Sequence, residues 1–279
     1  MIDLIPLRLV RPARDGGHSA PRTSSSVVGA VGVAAVVAGL TLLPGLLAGQ
    51  SGEGYLFGRP ALQLDLFGGF AAPRADGDAF ADTFDDLILD EGDLHTGVFG
   101  GSLAFRVNER LDVAGELAFS RASEETEYRD YVGSDGLPIF QTAVLTRVPV
   151  SLVFRGYLWD RGRSVGRLAW VPRDWVPYAG LGVGVTWYEF VRKGEFVVET
   201  DPALPIFEDH LIWDGYAPTA HVLAGLEANL TPRLLLRGEG RYSWASGDDR
   251  SRDFGEFEEV DLAGFQAVIG LSIRFGSGP

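Results

Sequence analysis

The chain contains no cysteine among its 279 residues. This absence excludes disulfide bonds, thiolate metal sites and cysteine nucleophiles. Lysine is almost lacking as well, since Lys193 is the only one and arginine supplies every other basic residue. The 24 basic residues are outnumbered by 38 acidic ones, giving a formal net charge of −14. Phosphate binding depends on clustered positive charge, so the sequence argues against a nucleic-acid partner.

Long apolar runs are absent after residue 60, and the single run before it extends from Val27 to Ala48. A basic leader precedes this run, with Arg8, Arg11, Arg14 and Arg22, and the small residues Ala48 and Gly49 close it. This order predicts a secretory signal peptide over residues 1–49. The alternative is an uncleaved transmembrane helix, because the run is long enough to span a bilayer. With no cysteine after it, a lipoprotein anchor is excluded.

From residue 60 onward the apolar residues recur with a period of two, which is typical of strands with two different faces. Eight segments show this pattern: 61–71, 96–107, 111–121, 143–158, 177–190, 217–230, 234–246 and 261–275. Segments two and three, and segments six and seven, are joined by short turns. The connections 72–95, 122–142, 191–216 and 247–260 are long, polar and acidic. Short turns at one end and long loops at the other are typical of outer-membrane barrels.

One connection, 159–176, is long where a short turn is expected. It carries Arg161, Arg163, Arg167 and Arg173, and we expect it on the periplasmic rim. Residues 50–59 are predicted to form a short periplasmic tail, and residues 60–276 the barrel.

The apolar faces of the strands fit either the inside of a soluble, lipocalin-like barrel or the outside of a membrane barrel. Charge decides between them, because a charged interior must neutralise itself. The polar faces of the segments carry six arginines and five carboxylates: Asp65, Arg106, Asp112, Glu116, Arg147, Arg155, Glu227, Arg237, Glu239, Arg241 and Arg274. The charges on these strand faces are therefore nearly balanced, although the chain as a whole is strongly acidic. The excess of acidic residues lies in the loops. We therefore predict that these residues form a barrel-interior charge network and that the apolar faces contact lipid.

Aromatic residues agree with this orientation. Trp187, Tyr242, Trp244 and Phe275 fall near strand ends on the apolar faces, where girdles form at the lipid–water interface.

Three stretches resemble a known family: VPYAGLGVGVTWYEF (176–190), HVLAGLEANLTPRLLLRGEGRYSW (221–244) and DLAGFQAVIGLSIRF (261–275). They are similar to the small OmpA/OmpX-like outer-membrane barrels. The resemblance implies an all-β, eight-stranded, antiparallel up-and-down transmembrane barrel in the bacterial outer membrane, preceded by the N-terminal signal or apolar helix. It also implies that Phe275, at the end of the last strand, is a signal for the barrel-assembly machinery.

An eight-stranded barrel has an interior only just wide enough for side chains, so a wide pore is not expected. Gly180, Gly182 and Gly184 are predicted to face inward and leave room for larger groups. We expect a monomeric structural or adhesive scaffold in outer-membrane lipid, without a cofactor, that presents acidic loops. Divalent cations on those loops would bridge to lipopolysaccharide, or the loops are simply solvated. The acids are Asp76, Asp78, Asp82, Asp85, Asp86, Asp90, Glu91 and Asp93 in one loop, and Asp248, Asp249, Asp253, Glu256, Glu258 and Glu259 in another.

Two other functions remain open. A lipid A-modifying enzyme requires a histidine near a serine and a carboxylate, for which His221, Ser243, Glu227 and Glu239 are the candidates, although a barrel-lining histidine is the commoner situation.

A channel for small hydrophobic molecules is the other alternative. Pro149 and Pro218 interrupt strand patterns and would mark a gap in the barrel wall, or else they lie harmlessly near strand ends.

Overall fold

The computed structural model describes residues 51–52, 54–133, 136–197, 206–247 and 260–276. The predicted signal peptide and the acidic residues 248–259 lie outside these ranges.

Eight antiparallel strands form a closed ring. They are β1 (Leu62–Pro73), β2 (Thr96–Asn108), β3 (Leu111–Val132), β4 (Pro138–Tyr157), β5 (Trp175–Val197), β6 (Ile206–Asn229), β7 (Leu234–Gly247) and β8 (Gly264–Phe275). Each strand pairs with the next in the chain, and β8 pairs with β1 from Phe275 opposite Leu62 to Gly264 opposite Pro73. The predicted fold, a closed eight-stranded up-and-down barrel, is confirmed.

The two ends of the barrel differ. The end with the tight β2–β3 and β6–β7 turns is called the turn rim here, and the opposite end is called the hairpin rim. The first turn is held by the Arg110 amide, which donates to Asn108 Oδ1 at 2.8 Å. In the second turn the Leu234 amide donates to Thr231 Oγ1 at 2.9 Å. These bonds satisfy backbone groups that the strand ladder leaves free.

Four neighbouring strands rise well above the others at the hairpin rim. Strands β3 to β6 have 20 to 24 residues, whereas β1, β2, β7 and β8 have 12 to 14. The prediction that 122–142 and 191–216 are long loops is therefore wrong, because most of both stretches extends the hairpins. Above the lipid the outward face becomes polar, as at the exposed Arg121 and Glu125, and this polarity hides the strand pattern.

The connection 72–95 is also more ordered than the polar loop expected there. It contains helix α1 (Asp78–Asp86) and a short 3₁₀-helix at Glu91–Leu94. Phe80, Phe84 and Leu87 recur at helical spacing, which is the signal for an amphipathic helix with one apolar face. Phe80 and Leu87 are buried, and the Phe80 ring lies 4.8 Å from that of Phe190 on β5.

This connection pairs with the free edge of β3 through a bridge between Leu87 and Tyr128, and it packs on the inner face of β5. The Ile88 amide donates to Glu127 O at 2.9 Å, Arg129 donates to Leu87 O at 2.8 Å, and Arg192 forms an ion pair with Asp86 at 3.2 Å. The apolar side chains enclosed here, called the cap cluster, include Phe80, Leu87, Leu89, Leu94, Ile139, Leu145, Phe190, Trp213 and Leu262. The cap cluster fills the hairpin rim of the barrel.

A second, smaller sheet lies at the turn rim. Its four strands are, in order, Ser51–Gly52, Tyr55–Phe57, Ala169–Pro172 and Gly162–Val165. The stretch 50–59 thus contributes strands to the same sheet as the 159–176 connection. The sheet buries Trp170 completely.

The outer surface carries a continuous apolar belt. Large exposed side chains on all eight strands form it: Phe70, Phe99, Leu103, Phe105, Leu117, Val150, Leu152, Leu181, Val183, Val222, Leu226, Leu236, Trp244, Phe265, Ile269 and Leu271. On β5 the belt is bounded by Trp175 and Trp187. At about 3.3 Å per residue and a tilt of about 40°, that stretch spans about 30 Å, which matches the hydrocarbon thickness of a bilayer. Within the described ranges, no helix has the length and apolarity needed to cross a membrane.

Candidate functional site

The barrel lumen is closed at the turn rim by Trp170. Its ring lies 4.9 Å from the Arg106 guanidinium and 5.5 Å from that of Arg274, so two cations stack against it. Arg106 also forms an ion pair of 3.8 Å with Glu109. Cation–π contacts of this kind gain strength where water is excluded. Trp170 is therefore a floor beneath the lumen.

Immediately above this floor, two carboxylates are paired with two arginines. Glu227 accepts from Arg274 at 3.2 Å, and Asp112 accepts from Arg161 at 2.5 Å. Tyr157 lies between the two acids, its hydroxyl oxygen 2.9 Å from Glu227 and 3.1 Å from Asp112, so that its one proton is shared between them. Charge-assisted hydrogen bonds of this type are stronger than neutral ones.

Arg161 is absent from the predicted network, because it belongs to the 159–176 connection and not to a strand. Its side chain reaches into the lumen and is almost fully buried. Burial opposes its charge, but Tyr157, Asp112 and Glu227 together raise the pKa of Arg161 above its ordinary value. It is therefore a cation at any physiological pH. No spacing pattern marks such a residue, since its position depends on how the connection folds back.

Asp65 is the centre of the next layer. Its Oδ2 atom accepts from Arg237 at 2.6 Å and from Arg155 at 3.0 Å, and Ser102 donates to it as well. Gln63 donates to Oδ1 at 2.9 Å. Asp65, Arg155 and Arg237 come from β1, β4 and β7, so this cluster crosses the lumen from wall to wall.

Two further carboxylates extend the cluster toward the hairpin rim. Arg241 donates to both, to Glu116 in a very short contact and to Glu239 at 2.5 Å. Arg155 reaches Glu116 at 3.4 Å, and Tyr178 donates to Glu239 at 2.8 Å. Because each carboxylate accepts from at least two donors, the cost of burying it is offset by several charge-assisted bonds.

Arg147 is the exception among the eleven residues predicted for the network. It lies on the inner face of β4 and is only 7% exposed. Within the described ranges no carboxylate forms an ion pair with it, and its Nη2 atom has no hydrogen-bond partner. The structure thus brings ten predicted residues into contact with opposite charges and leaves one apart.

Glycine makes room for two large side chains in the lumen. A Cβ atom on Gly182 would lie 2.3 Å from Nε2 of His221, which stands opposite it on β6. A Cβ atom on Gly225 would lie 2.4 Å from the Tyr178 hydroxyl. Gly180 and Gly184 also face inward, where a Cβ atom would meet neighbouring backbone. A larger residue at any of these positions would force its neighbours to shift.

His221 does not form the arrangement that an acyl-transfer site requires. It lies opposite Ser243 on β7, and its Nε2 atom has no hydrogen-bond partner. Glu227 and Glu239, the two carboxylates proposed as its partners, are engaged by arginines and tyrosines. A catalytic histidine must be oriented by its acid to take a proton from the nucleophile. Across the described part of the chain, no three metal-ligating side chains are grouped to hold an ion.

The two strand prolines occupy different positions in the ladder. Pro149 lies opposite Thr186 within a continuous β4–β5 pairing, whereas on its other side the β3–β4 ladder is interrupted between the Leu117–Val150 and Ser120–Arg147 pairs. Pro218 immediately precedes Thr219, the residue at which the β6–β7 pairing ends. Above that point, among the described residues, β6 pairs only with β5. Since proline donates no ladder hydrogen bond, it is suited to the point where pairing stops.

Phe275 ends β8 at the turn rim, opposite Leu62 of β1, and is partly buried. This is the terminal position implied by the family resemblance. Its role in barrel assembly stays a prediction.

No protein-family model matches the chain, and no curated protein matches it. Among solved structures, it is similar to the outer membrane protein OprG of Pseudomonas aeruginosa at 16% identity, covering 79% of this chain and 99% of that one, with a TM-score of 0.41. Neisserial surface protein A is similar at 11% identity, with coverage of 77% and 97% and a TM-score of 0.40. The attachment invasion locus protein Ail of Yersinia pestis is similar at 12% identity, with coverage of 77% and 100% and a TM-score of 0.37. At these values the likenesses carry no argument about function.

The assignment rests instead on the molecule itself. A closed ring of eight antiparallel strands has an apolar belt outside and paired charges inside, which is the inverse of a soluble protein. Only a lipid environment makes such a belt stable. The chain is a small eight-stranded β-barrel of the outer-membrane type.

Proposed function

We propose that this protein is a non-conducting scaffold of the bacterial outer membrane that presents a tall four-stranded wall at the cell surface. The observation that carries the proposal is the filling of the lumen. Trp170 closes the turn rim, the Asp65–Arg155–Arg237 cluster crosses the middle, and the cap cluster fills the hairpin rim. Two cavities found inside the barrel measure about 10 and 30 Å³, enough for isolated waters but not for a column of them.

The orientation follows from the two rims. Outer-membrane barrels have short periplasmic turns and longer extracellular loops. The turn rim is then periplasmic, and β3 to β6 project outside. About ten residues suffice to cross the bilayer, so each of these strands has about ten more to place above it. At about 3.3 Å per residue the wall stands about 25 Å above the lipid.

Cysteine labelling on intact cells tests the orientation, and the natural absence of cysteine leaves no background. Asp209 is exposed on the projecting part of β6, and Asp160 is exposed at the turn rim. With a membrane-impermeant maleimide, Asp209→Cys is expected to react on intact cells and Asp160→Cys only after permeabilisation. The reverse pattern would contradict the orientation.

Planar-bilayer recording tests the closed lumen. The purified protein is expected to give no stepwise conductance in salt solution, whereas a wide-pore porin recorded under the same conditions provides the positive reference. Trp170→Ala removes the floor but retains the Asp65–Arg155–Arg237 cluster and the cap cluster, so it is expected to stay closed as well. Frequent open events from the unmodified protein would refute the scaffold proposal.

A second candidate is lateral passage of small hydrophobic molecules, favoured by one observation. Above Thr219 the described part of β6 loses its β7 partner, beside an apolar cap cluster. Uptake of a hydrophobic dye into cells that express the protein separates the two candidates, since a scaffold gives no increase over cells without it.

The geometry favours no enzymatic activity. His221 lacks an orienting carboxylate among the described residues, and the acids near it are neutralised by arginines. Lipid A from expressing cells is expected to have an unchanged acylation pattern by mass spectrometry, and a change that His221→Ala abolishes would show the opposite.

A further inference from the structure

Arg147 leaves one positive charge uncompensated inside the barrel. Its guanidinium is always protonated, it is 7% exposed, and no described carboxylate pairs with it. An uncompensated buried ion costs several kcal/mol. The other lumen arginines each have an acidic partner: Arg106, Arg155, Arg161, Arg237, Arg241 and Arg274. Among the residues that the structure describes, the charge balance of the lumen is therefore incomplete by one negative charge.

A cavity lies directly beside this cation. It measures about 30 Å³ and is situated between Arg241 of the ion-pair cluster and Leu262 of the cap cluster. That volume holds a water molecule or an ion of similar size, and it is too small for an organic ligand. Ser120, Ser151, Ser243 and Gln266 also line it, and each can donate a hydrogen bond.

His221 offers a further donor to the same cavity. Its Nε2 atom is buried and has no hydrogen-bond partner, and its ring packs over Gly182 where a Cβ atom would otherwise lie. Arg241 lines the cavity as well, but Glu116 and Glu239 already engage its guanidinium. The groups left over are thus donors and one full cation, with no acidic group among the lining residues.

We propose that this cavity binds a monovalent anion of the size of chloride, held between the Arg147 guanidinium and the His221 ring. A water molecule could accept hydrogen bonds there but would not supply the missing charge. The anion completes the charge balance of the lumen and joins the ion-pair cluster to the cap cluster. It is a structural ligand of the folded barrel.

Crystallography with bromide in place of chloride tests the site directly. The protein is crystallised from detergent in sodium bromide, and anomalous differences are measured at the bromine absorption edge. We expect a peak in the cavity within about 3.5 Å of Arg147, a distance typical of a charge-assisted hydrogen bond to a large anion. A cavity without anomalous signal, or one filled by a carboxylate from outside the described ranges, would overturn the proposal.

Thermal unfolding gives an independent test in solution. A ligand that binds only the folded state raises the Tm with its concentration. At constant ionic strength, replacing gluconate by chloride is expected to raise the Tm by a few degrees. Arg147→Gln should abolish this dependence, and Arg163→Gln, at an exposed arginine of the small sheet, should retain it.

An anion-independent Tm in the unmodified protein, or a full chloride effect in Arg147→Gln, would each contradict the site. If Arg147→Gln fails to fold, the bromide measurement on the unmodified protein still decides.

Discussion

Replacing Asp65 by asparagine removes the carboxylate at the centre of the lumen while conserving its shape. Two buried arginines then lose their shortest ion pair, since Arg237 and Arg155 approach Asp65 at 2.6 and 3.0 Å. Breaking a buried pair by removing one partner typically costs about 3–5 kcal/mol. Arg155 keeps Glu116 at 3.4 Å and Arg237 keeps Glu239 at 3.7 Å, so we expect the lower end, about 3 kcal/mol.

The matched control is Asp76→Asn at the hairpin rim. Asp76 lies 3.9 Å from Arg74, and both side chains are more than half exposed, so less than about 1 kcal/mol should be lost. Both variants are refolded into phospholipid vesicles, and their urea unfolding is followed by tryptophan fluorescence, with the heat-induced gel shift as a second probe.

A double variant sharpens the interpretation. Because Asp65 and Arg237 are in contact, their combined loss should differ from the sum of the single losses by about 0.5–3 kcal/mol. An Asp65→Asn variant as stable as Asp76→Asn would refute the claim that the network stabilises the lumen.

Three other perturbations address the packing, the floor and the belt. Gly182→Ala places a Cβ atom 2.3 Å from His221 Nε2 and should lower the free energy of urea unfolding by about 1–3 kcal/mol. Gly238→Ala, with open space around it, should lower it by less than about 1 kcal/mol, and equal losses of stability would refute the packing argument. Trp170→Ala should lower the free energy of unfolding by about 3–5 kcal/mol, whereas Trp170→Phe retains a ring for the two arginines and should lower it less. Equal free energies of unfolding for the two variants would contradict the role of the floor. Ile269→Lys on the outer belt should cost about 2–4 kcal/mol in vesicles and Ile269→Leu almost nothing, and a tolerated lysine would place this face outside the lipid.

The strands and their faces were predictable because lipid requires an apolar outer face, which contrasts sharply with the polar inner face. In the last strand, Phe265, Ile269 and Leu271 face outward and Ser272 and Arg274 inward, as predicted. In a membrane barrel the outer face is apolar throughout the bilayer, so the period of two is unbroken there.

The same physics explains what the sequence did not reveal. Where β3 to β6 leave the lipid, the outward positions become polar and the strands resemble loops. Helix α1 was obscured by the many acids around Phe80 and Phe84, although their spacing is helical. Contacts of Arg161 depend on a tertiary fold-back of its connection, which a local pattern does not encode.

A count of charges in the sequence indicated an unpaired cation in the lumen but could not identify the residue or its position. Six arginines against five carboxylates leave one cation in excess, and a count does not say which. Adding Arg161 and Glu109, which the structure brings to the same lumen, changes both sides equally. The remaining charge is identified as Arg147 only by the distances between side chains.

The charged lumen also fixes the register of the strands. Because side chains alternate with a period of two, sliding one strand by a single residue would turn its whole inner face outward. For β7 such a slip would place Arg237, Glu239 and Arg241 in lipid, at a cost of about 2–4 kcal/mol for each arginine near the midplane. It would also break ion pairs to β1 and β3. A lumen lined by apolar side chains would fill the same space, but a register slip would then cost much less. The polar network therefore selects one strand pairing from many as well as stabilising it.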